Sequence, residues 1–156
     1  MDIDLQIVKV GPAYRKHLIR FFSFIRKTRE DRYFYPHPFT DRYASDLSLK
    51  RNHKQDLYYI ILLDSSVAAY GMLRGYDEGY QIPSLGIIVH PYYRGMGLSR
   101  LFMSFLHKAA KLRGAKKIRL TVDKKNDIAK ALYEKLGYNL SLEYDSDDYY
   151  VGILDL

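Results

Sequence analysis

Apolar and polar residues alternate from Ile3 to Val10, a period of two that predicts a strand. Gly11-Pro12 ends it. The period then lengthens. Leu18, Phe21, Phe22 and Ile25 recur three and four residues apart, which puts them on one face of a helix. Two prolines in YFYPHPFT make that stretch a loop. DRYASDLSLKR reads as a short helix capped by Thr40 or Asp41. DLYYIILLD and VAAYGMLRGY predict strands joined by a turn at Asp64-Ser65-Ser66. Asp77-Glu78-Gly79 predicts the next turn and SLGIIVH the next strand, with Pro83 marking a bulge or an edge at its start.

Helical spacing returns at Leu98, Leu101, Phe102, Phe105, Ala109 and Leu112, with Gly114 as the stop. KKIRLTV predicts a strand. NDIAKALYEKLGY predicts a short helix, capped by Asn126 and ended by Gly137. NLSLEY and YYVGILDL close the chain as strands. The order β-α-α-β-β-β-α-β-α-β-β, with no internal repeat or linker, predicts one mixed α/β domain over residues 1–156. Its centre is a twisted sheet of about seven strands with helices on both faces.

A chain of 156 residues can bury roughly 70% of its unfolded surface. The 47% apolar and 28% charged fractions are those of a globular protein. Cysteine is absent, which excludes disulfides and thiolate metal sites and fits a cytoplasmic location. MDIDLQIVKV is not a signal peptide, and no apolar run approaches the ~20 residues of a membrane helix, so no membrane partner is expected. The five histidines lack close ligand spacing, and no metal is expected. The formal charge of +7 suits an anionic ligand, although a solvated basic surface explains it as well. Sixteen tyrosines suit either a polar pocket or ordinary strands.

The chemistry concentrates at HPYYRGMGLS, where a strand turns into a helix. A helix N-terminus presents backbone N–H groups without intrahelical partners and with partial positive charge. Gly95 and Gly97 leave those groups uncovered and permit unusual backbone angles. Arg94 adds a full charge. Together they suit a phosphate or pyrophosphate. A tight turn with a surface arginine would look the same. The segment is neither a P-loop, which needs a lysine, nor a three-glycine dinucleotide fingerprint.

IIVHPYYRGMGLS, with Arg94, Gly97 and Ser99 in register, and NDIAKALYEKLGY, from Asn126 to Tyr138, together resemble the GNAT superfamily of N-acetyltransferases. Its pyrophosphate loop reads Gln/Arg-x-x-Gly-x-Gly/Ala, and its second segment Asn-x-x-Ala-x-x-Leu-Tyr-x-x-x-Gly-Phe/Tyr. The two segments stand one helix and one strand apart, as in that family. Ser99 departs from the preferred Gly or Ala. The resemblance implies a GNAT-like domain with acetyl-CoA as co-substrate. Its pyrophosphate would rest on the amides of Gly95, Met96, Gly97, Leu98, Ser99 and Arg100, beside Arg94. Its pantetheine arm would pair with the backbone of Ile87, Ile88 and Val89, where an amide would also polarise the thioester carbonyl. Asn126 would touch the arm. Tyr133 would stand near the sulfur as general acid. Read from the residues alone, Asn126 is a helix cap and Tyr133, two turns on, a core residue. Without cysteine, the reaction implied is direct attack of an amine on the thioester. The base is missing: the central strand reads SLGIIVH, without a glutamate. Thr121 stands where ribosomal N-terminal acetyltransferases place one, which counts against a protein N-terminus as acceptor.

The acceptor would meet the loop REDRYFYPHPFTDRY and the turn RGYDEGY. Tyr35, His37, Arg74, Tyr76 and Glu78 are the candidates. His37 on an exposed loop is a surface histidine or, functionally, a base or hydrogen-bond donor. This mixture of groups favours a polar small-molecule amine, such as an amino sugar, as substrate. A protein or peptide acceptor is the runner-up, and a non-catalytic acetyl-CoA-binding module the reading from another class. A second copy of the chain, in a homodimer, is the protein partner considered. Nucleic acid is not expected, since RNP sequences and a helix-turn-helix are lacking.

Overall fold

The computed structural model describes residues 2–51, 54–142 and 148–156. The strands are β1 (Leu5–Lys9), β2 (Leu57–Leu63), β3 (Ser66–Arg74), β4 (Ser84–Val89), β5 (Lys117–Asp123), β6 (Asn139–Leu142) and β7 (Tyr149–Asp155). The helices are α1 (Arg15–Lys27), α2 (Asp41–Ser48), α3 (Leu98–Leu112) and α4 (Asp127–Lys135). All seven strands form one sheet in the order β1-β2-β3-β4-β5-β7-β6. Every neighbouring pair is antiparallel except β4 and β5. The mixed α/β architecture expected from the sequence is the one observed. Glu143 and Tyr144 of the expected NLSLEY strand, His53, and all but Asp148 of the acidic segment Glu143 to Asp148 lie outside the described residues.

Two cores explain the strand patterns. Tyr58, Ile60 and Leu62 of β2 pack with Leu18, Phe21, Phe22 and Ile25 of α1 and with Ala44 and Leu47 of α2. Leu57 and Ile61 face the opposite way, into a second core with Phe102, Met103 and Leu106 of α3. A strand covered on both faces reads as an unbroken apolar run, as LYYIILL does. At Gly71 the second core is so tight that a Cβ would come 2.6 Å from the Phe102 ring. Opposite β2 the register shifts, pairing Leu62 with Val67 but Ile61 with Ala69, so Ala68 is the extra residue of a bulge.

The core face of α3 is not the one expected. Leu98, Phe102, Met103, Leu106 and Ala110 are buried, whereas Leu101 is 41% and Leu112 88% exposed. At 3.6 residues per turn, Leu101 and Leu112 lie roughly a quarter-turn or more from the centre of the buried stripe. Phe105 and Ala109 sit on its margin.

The first core draws nothing from β5. On β5, Ile118, Leu120 and Val122 enter the second core, so Arg119, Thr121 and Asp123 project from the other face. On that face Arg119 and Thr121 are half-buried and Asp123 is buried, and this face positions the site.

Candidate active site

At the end of β4, His90 donates its N–H to the Ala68 carbonyl at 2.8 Å, and its Nδ1 accepts from the Tyr92 N–H at 3.1 Å. A single 3-10 turn, Pro91–Tyr93, follows. The chain then crosses Gly95 and Gly97, with φ of 77° and 81°. Nothing lies within 4 Å of a Cβ built at either, so left-handed backbone, not crowding, calls for glycine here. Gly97 caps α3 without a side-chain bond. The first intrahelical bond is Leu101 N–H to the Gly97 carbonyl, 3.1 Å, which leaves the N–H groups of Leu98, Ser99 and Arg100 without intrahelical partners. The first turn carries no acidic residue to occupy them. Arg94 is paired with Glu30 at 2.5 Å, so part of its charge is already countered.

β4 and β5 are parallel but meet only at Ser84–Arg119, where the Arg119 N–H donates to the Pro83 carbonyl at 2.9 Å. Beyond that pair the strands separate. Pro83, expected as a bulge or edge, is the hinge of this wedge. The bonds at Pro83 and His90 fix which backbone groups look into it. N–H and C=O groups of alternate residues point to opposite sides of a strand. Since Pro83 points to β5 and His90 to β3, Ile87 and Val89 point into the wedge. Ile88, paired with Tyr70, points back to β3. The expectation that Ile88 offers backbone to a cofactor is therefore corrected by the parity of the strand.

Both parallel strands run toward the same edge of the sheet, and α3 and α4 each follow one of them. Asn126 caps α4, its Oδ1 accepting from the Ala129 N–H at 3.4 Å. Tyr133 is the one buried residue of α4. Its ring lies 5.8 Å from that of Tyr138, and burial pushes its hydroxyl up to about 12.

On the opposite face, a cavity of about 330 Å³ opens at the hinge. Tyr35, Arg74 and Glu78 line it, with Tyr80, Ser84, Arg119, Thr121 and Tyr149, which the sequence did not single out for this role. Arg74 donates from one terminal nitrogen to the Pro36 carbonyl at 2.6 Å, while its buried Nε has no partner among the described residues. The Tyr35 hydroxyl donates to Asp123 Oδ2. That bond and burial push Tyr35 up to about 12.

Two expected acceptor residues lie elsewhere. His37 is only 7% exposed, not on an open loop. Its Nδ1 lies 2.9 Å from the Pro38 carbonyl, which can only accept, so Nδ1 carries the proton and Nε2 accepts from the Tyr70 hydroxyl at 2.8 Å. The ring stacks on Tyr43 at 4.3 Å. The loop folds inward because this ring completes the aromatic core around Phe22, Phe34 and Phe39. Tyr76 faces the other layer, under the Arg113 guanidinium at 4.0 Å, and does not line the cavity.

The model of the acetyltransferase (GNAT) family matches residues 12–138. The chain belongs to the GNAT family. It is 36% identical over 95 residues to an acetyltransferase of Sodalis glossinidius, covering 61% of this chain and 66% of the relative. With an acetyltransferase of Pectobacterium atrosepticum the identity is 34% over 93 residues, covering 60% and 64%. The chain thus spans just under two thirds of each of these relatives. The fold matches the GNAT acetyltransferase of Streptococcus pneumoniae with a TM-score of 0.77 at 19% identity, covering 98% of this chain and all of the other. It matches the PaiA N-acetyltransferase of Thermoplasma acidophilum, solved in complex with coenzyme A, with a TM-score of 0.75 at 15% identity, covering 98% and 99%. This GNAT chain combines an open wedge, a helix N-terminus without a side-chain cap, and a cavity of mixed apolar and charged lining. The wedge and the Tyr35–Asp123 bond had no signal in the sequence: both join segments far apart in the chain.

Proposed function

We propose that the protein transfers an acetyl group from acetyl-CoA to the primary amine of a polar small molecule, such as an amino sugar. The observation that carries this reading is the wedge between β4 and β5. The N–H and C=O groups of Ile87 and Val89, which have no β5 ladder partner among the described residues, suit an extended amide-bearing arm. They lead to the free N–H groups of Leu98, Ser99 and Arg100, which suit a pyrophosphate. Acetyl-CoA, when bound, supplies a thioester carbonyl open to attack. The roles that follow belong to side chains and backbone of this chain. Val89 or Ile87 N–H would hold the carbonyl oxygen as charge develops on it. Asn126, whose Oδ1 is engaged in the cap, keeps its amide N–H₂ for the arm.

Tyr133 is suited to donate a hydrogen bond to the leaving sulfur. Burial holds the Tyr133 hydroxyl protonated, pushed up to about 12, so it has a proton to offer the sulfur as general acid when the thiolate leaves. The cavity of about 330 Å³, edged by Tyr35, Arg74 and Glu78, is of the size that holds a small molecule, which supports that acceptor class over a peptide.

Calorimetric titration with acetyl-CoA should show micromolar binding, and free-thiol release across a panel of amines should find the acceptor. Failure to bind acetyl-CoA at millimolar concentration would remove the enzyme reading. Binding without thiol release to any amine would instead favour a non-catalytic acetyl-CoA-binding module.

A further inference from the structure

The proposed reaction needs a group to take the proton of an incoming ammonium, and β4 offers no carboxylate. We propose that Tyr35 and Asp123 form a proton relay that deprotonates the acceptor amine. The inference rests on the acetyltransferase reading above. Asp123 is the last residue of β5 and is 7% exposed. Strand alternation points it to the same face as Arg119 and Thr121, which line the cavity. Its Oδ1 accepts from the Lys125 N–H at 2.7 Å and its Oδ2 from the Tyr35 hydroxyl. Tyr35, 47% exposed and with its ring tilted against that of Tyr149 at 5.6 Å, is the cavity-lining end of the pair. Tyr35 lines the cavity and Asp123 does not, so an amine there meets the tyrosine first.

The step balances without another reagent. An ammonium proton passes to the Tyr35 oxygen as the Tyr35 proton passes to Asp123, leaving neutral amine, neutral tyrosine and a carboxylic acid. The amine nitrogen then bonds to the thioester carbon, the C–S bond breaks, and the thiolate leaves with the electron pair. The second nitrogen proton goes to solvent. The two hops are concerted, because a free Tyr35 phenolate is disfavoured: the Asp123 bond and burial push the hydroxyl up to about 12. Among the described residues, the other charged and titratable groups near the pair are Tyr33, Lys124, Lys125, Asp148 and Tyr149, with Arg74, Glu78, Tyr80 and Arg119 lining the cavity. Tyr35 is the group that touches substrate, and Asp123 acts through it.

The test uses the full chain, acetyl-CoA as donor and two probe amines. Glucosamine arrives largely as an ammonium at pH 7, whereas methoxyamine arrives neutral. Thiol release with glucosamine should fall at least about tenfold in both Tyr35→Phe and Asp123→Asn, and no further in the double variant. With methoxyamine the loss should stay under about threefold, since little proton removal is required before attack. Acetyl-CoA affinity should be unchanged within about twofold by calorimetry. A readout independent of turnover is the Tyr35 phenol itself, followed by NMR of carbon-labelled tyrosine and assigned with Tyr35→Phe. In Asp123→Asn it should ionise closer to the ordinary value of about 10. Equal losses with both amines would mean that the bond only holds the loop in place. Unchanged glucosamine turnover in Asp123→Asn would overturn the relay, as would a parent that binds acetyl-CoA yet acetylates neither probe. A parent that does not bind acetyl-CoA would take down the acetyltransferase reading and the relay with it.

Discussion

Tyr133 and His37 show how environment sets the role of a side chain. Both are aromatic, polar at the tip and buried. His37 has both ring nitrogens satisfied inside an aromatic cluster, so it belongs to the core. Tyr133 has its hydroxyl held neutral by burial, which suits it to the donor role proposed above. Tyr133→Phe should lower kcat by about 10- to 100-fold, with acetyl-CoA affinity unchanged by calorimetry, because a hydrogen bond to the leaving sulfur strengthens only as charge develops. Equal turnover in that variant would remove the role. Tyr133 was legible as a motif residue, but its hydroxyl's state was not, since that depends on what packs around it.

A strand that ends in a glycine-rich turn and a helix is a unit made largely by local sequence. Gly95 and Gly97 adopt left-handed φ with open space around them, and α3 starts bare of capping side chains. The expectation for Arg94 was a free cation beside this helix end. The Glu30 pair changes its size: the arginine must divide its charge between a carboxylate and any bound phosphate. Arg94→Ala should therefore weaken acetyl-CoA binding only about three- to tenfold, a cost of around 1 kcal/mol, and should leave an acetyl-pantetheine donor unaffected. Titration of both donors checks it. A loss beyond a hundredfold would mean that the pair opens fully toward the phosphates. Glu30 lies 64 residues away, in a loop whose path no local pattern reveals.

The whole molecule is held by contacts between layers. Gly71 lets Phe102 lie directly on β3. A methyl group 2.6 Å from that ring must displace an aromatic side chain in the middle of the second core. Gly71→Ala should cost about 1–3 kcal/mol, read as a lowered urea midpoint with an unchanged slope. Stability should also depend on pH. Burial lowers the pKa of His107, and burial with the Arg94 charge lowers that of His90. The unfolded chain then binds protons more readily than the folded one, so stability present above the ordinary value near 6.5 is lost as pH falls through the depressed folded values. Urea midpoints should drop between pH 7 and pH 5. His107→Gln, which removes one of these groups, should flatten part of that drop.

By itself, the sequence determined the order of elements, the apolar runs of the inner strands and the turn that feeds α3. Each follows from periodicity and from residues near one another in the chain. Helix faces were less secure: in α3 a shift of one residue moves the stripe by roughly 100°, so Leu101 and Leu112 look apolar in pattern yet meet solvent. The separation of β4 from β5, the inward turn of His37, the Glu30–Arg94 pair and the Tyr35–Asp123 bond were decided only by tertiary structure. They join residues up to 88 positions apart, and whether such groups meet depends on how the layers pack, which local spacing does not encode.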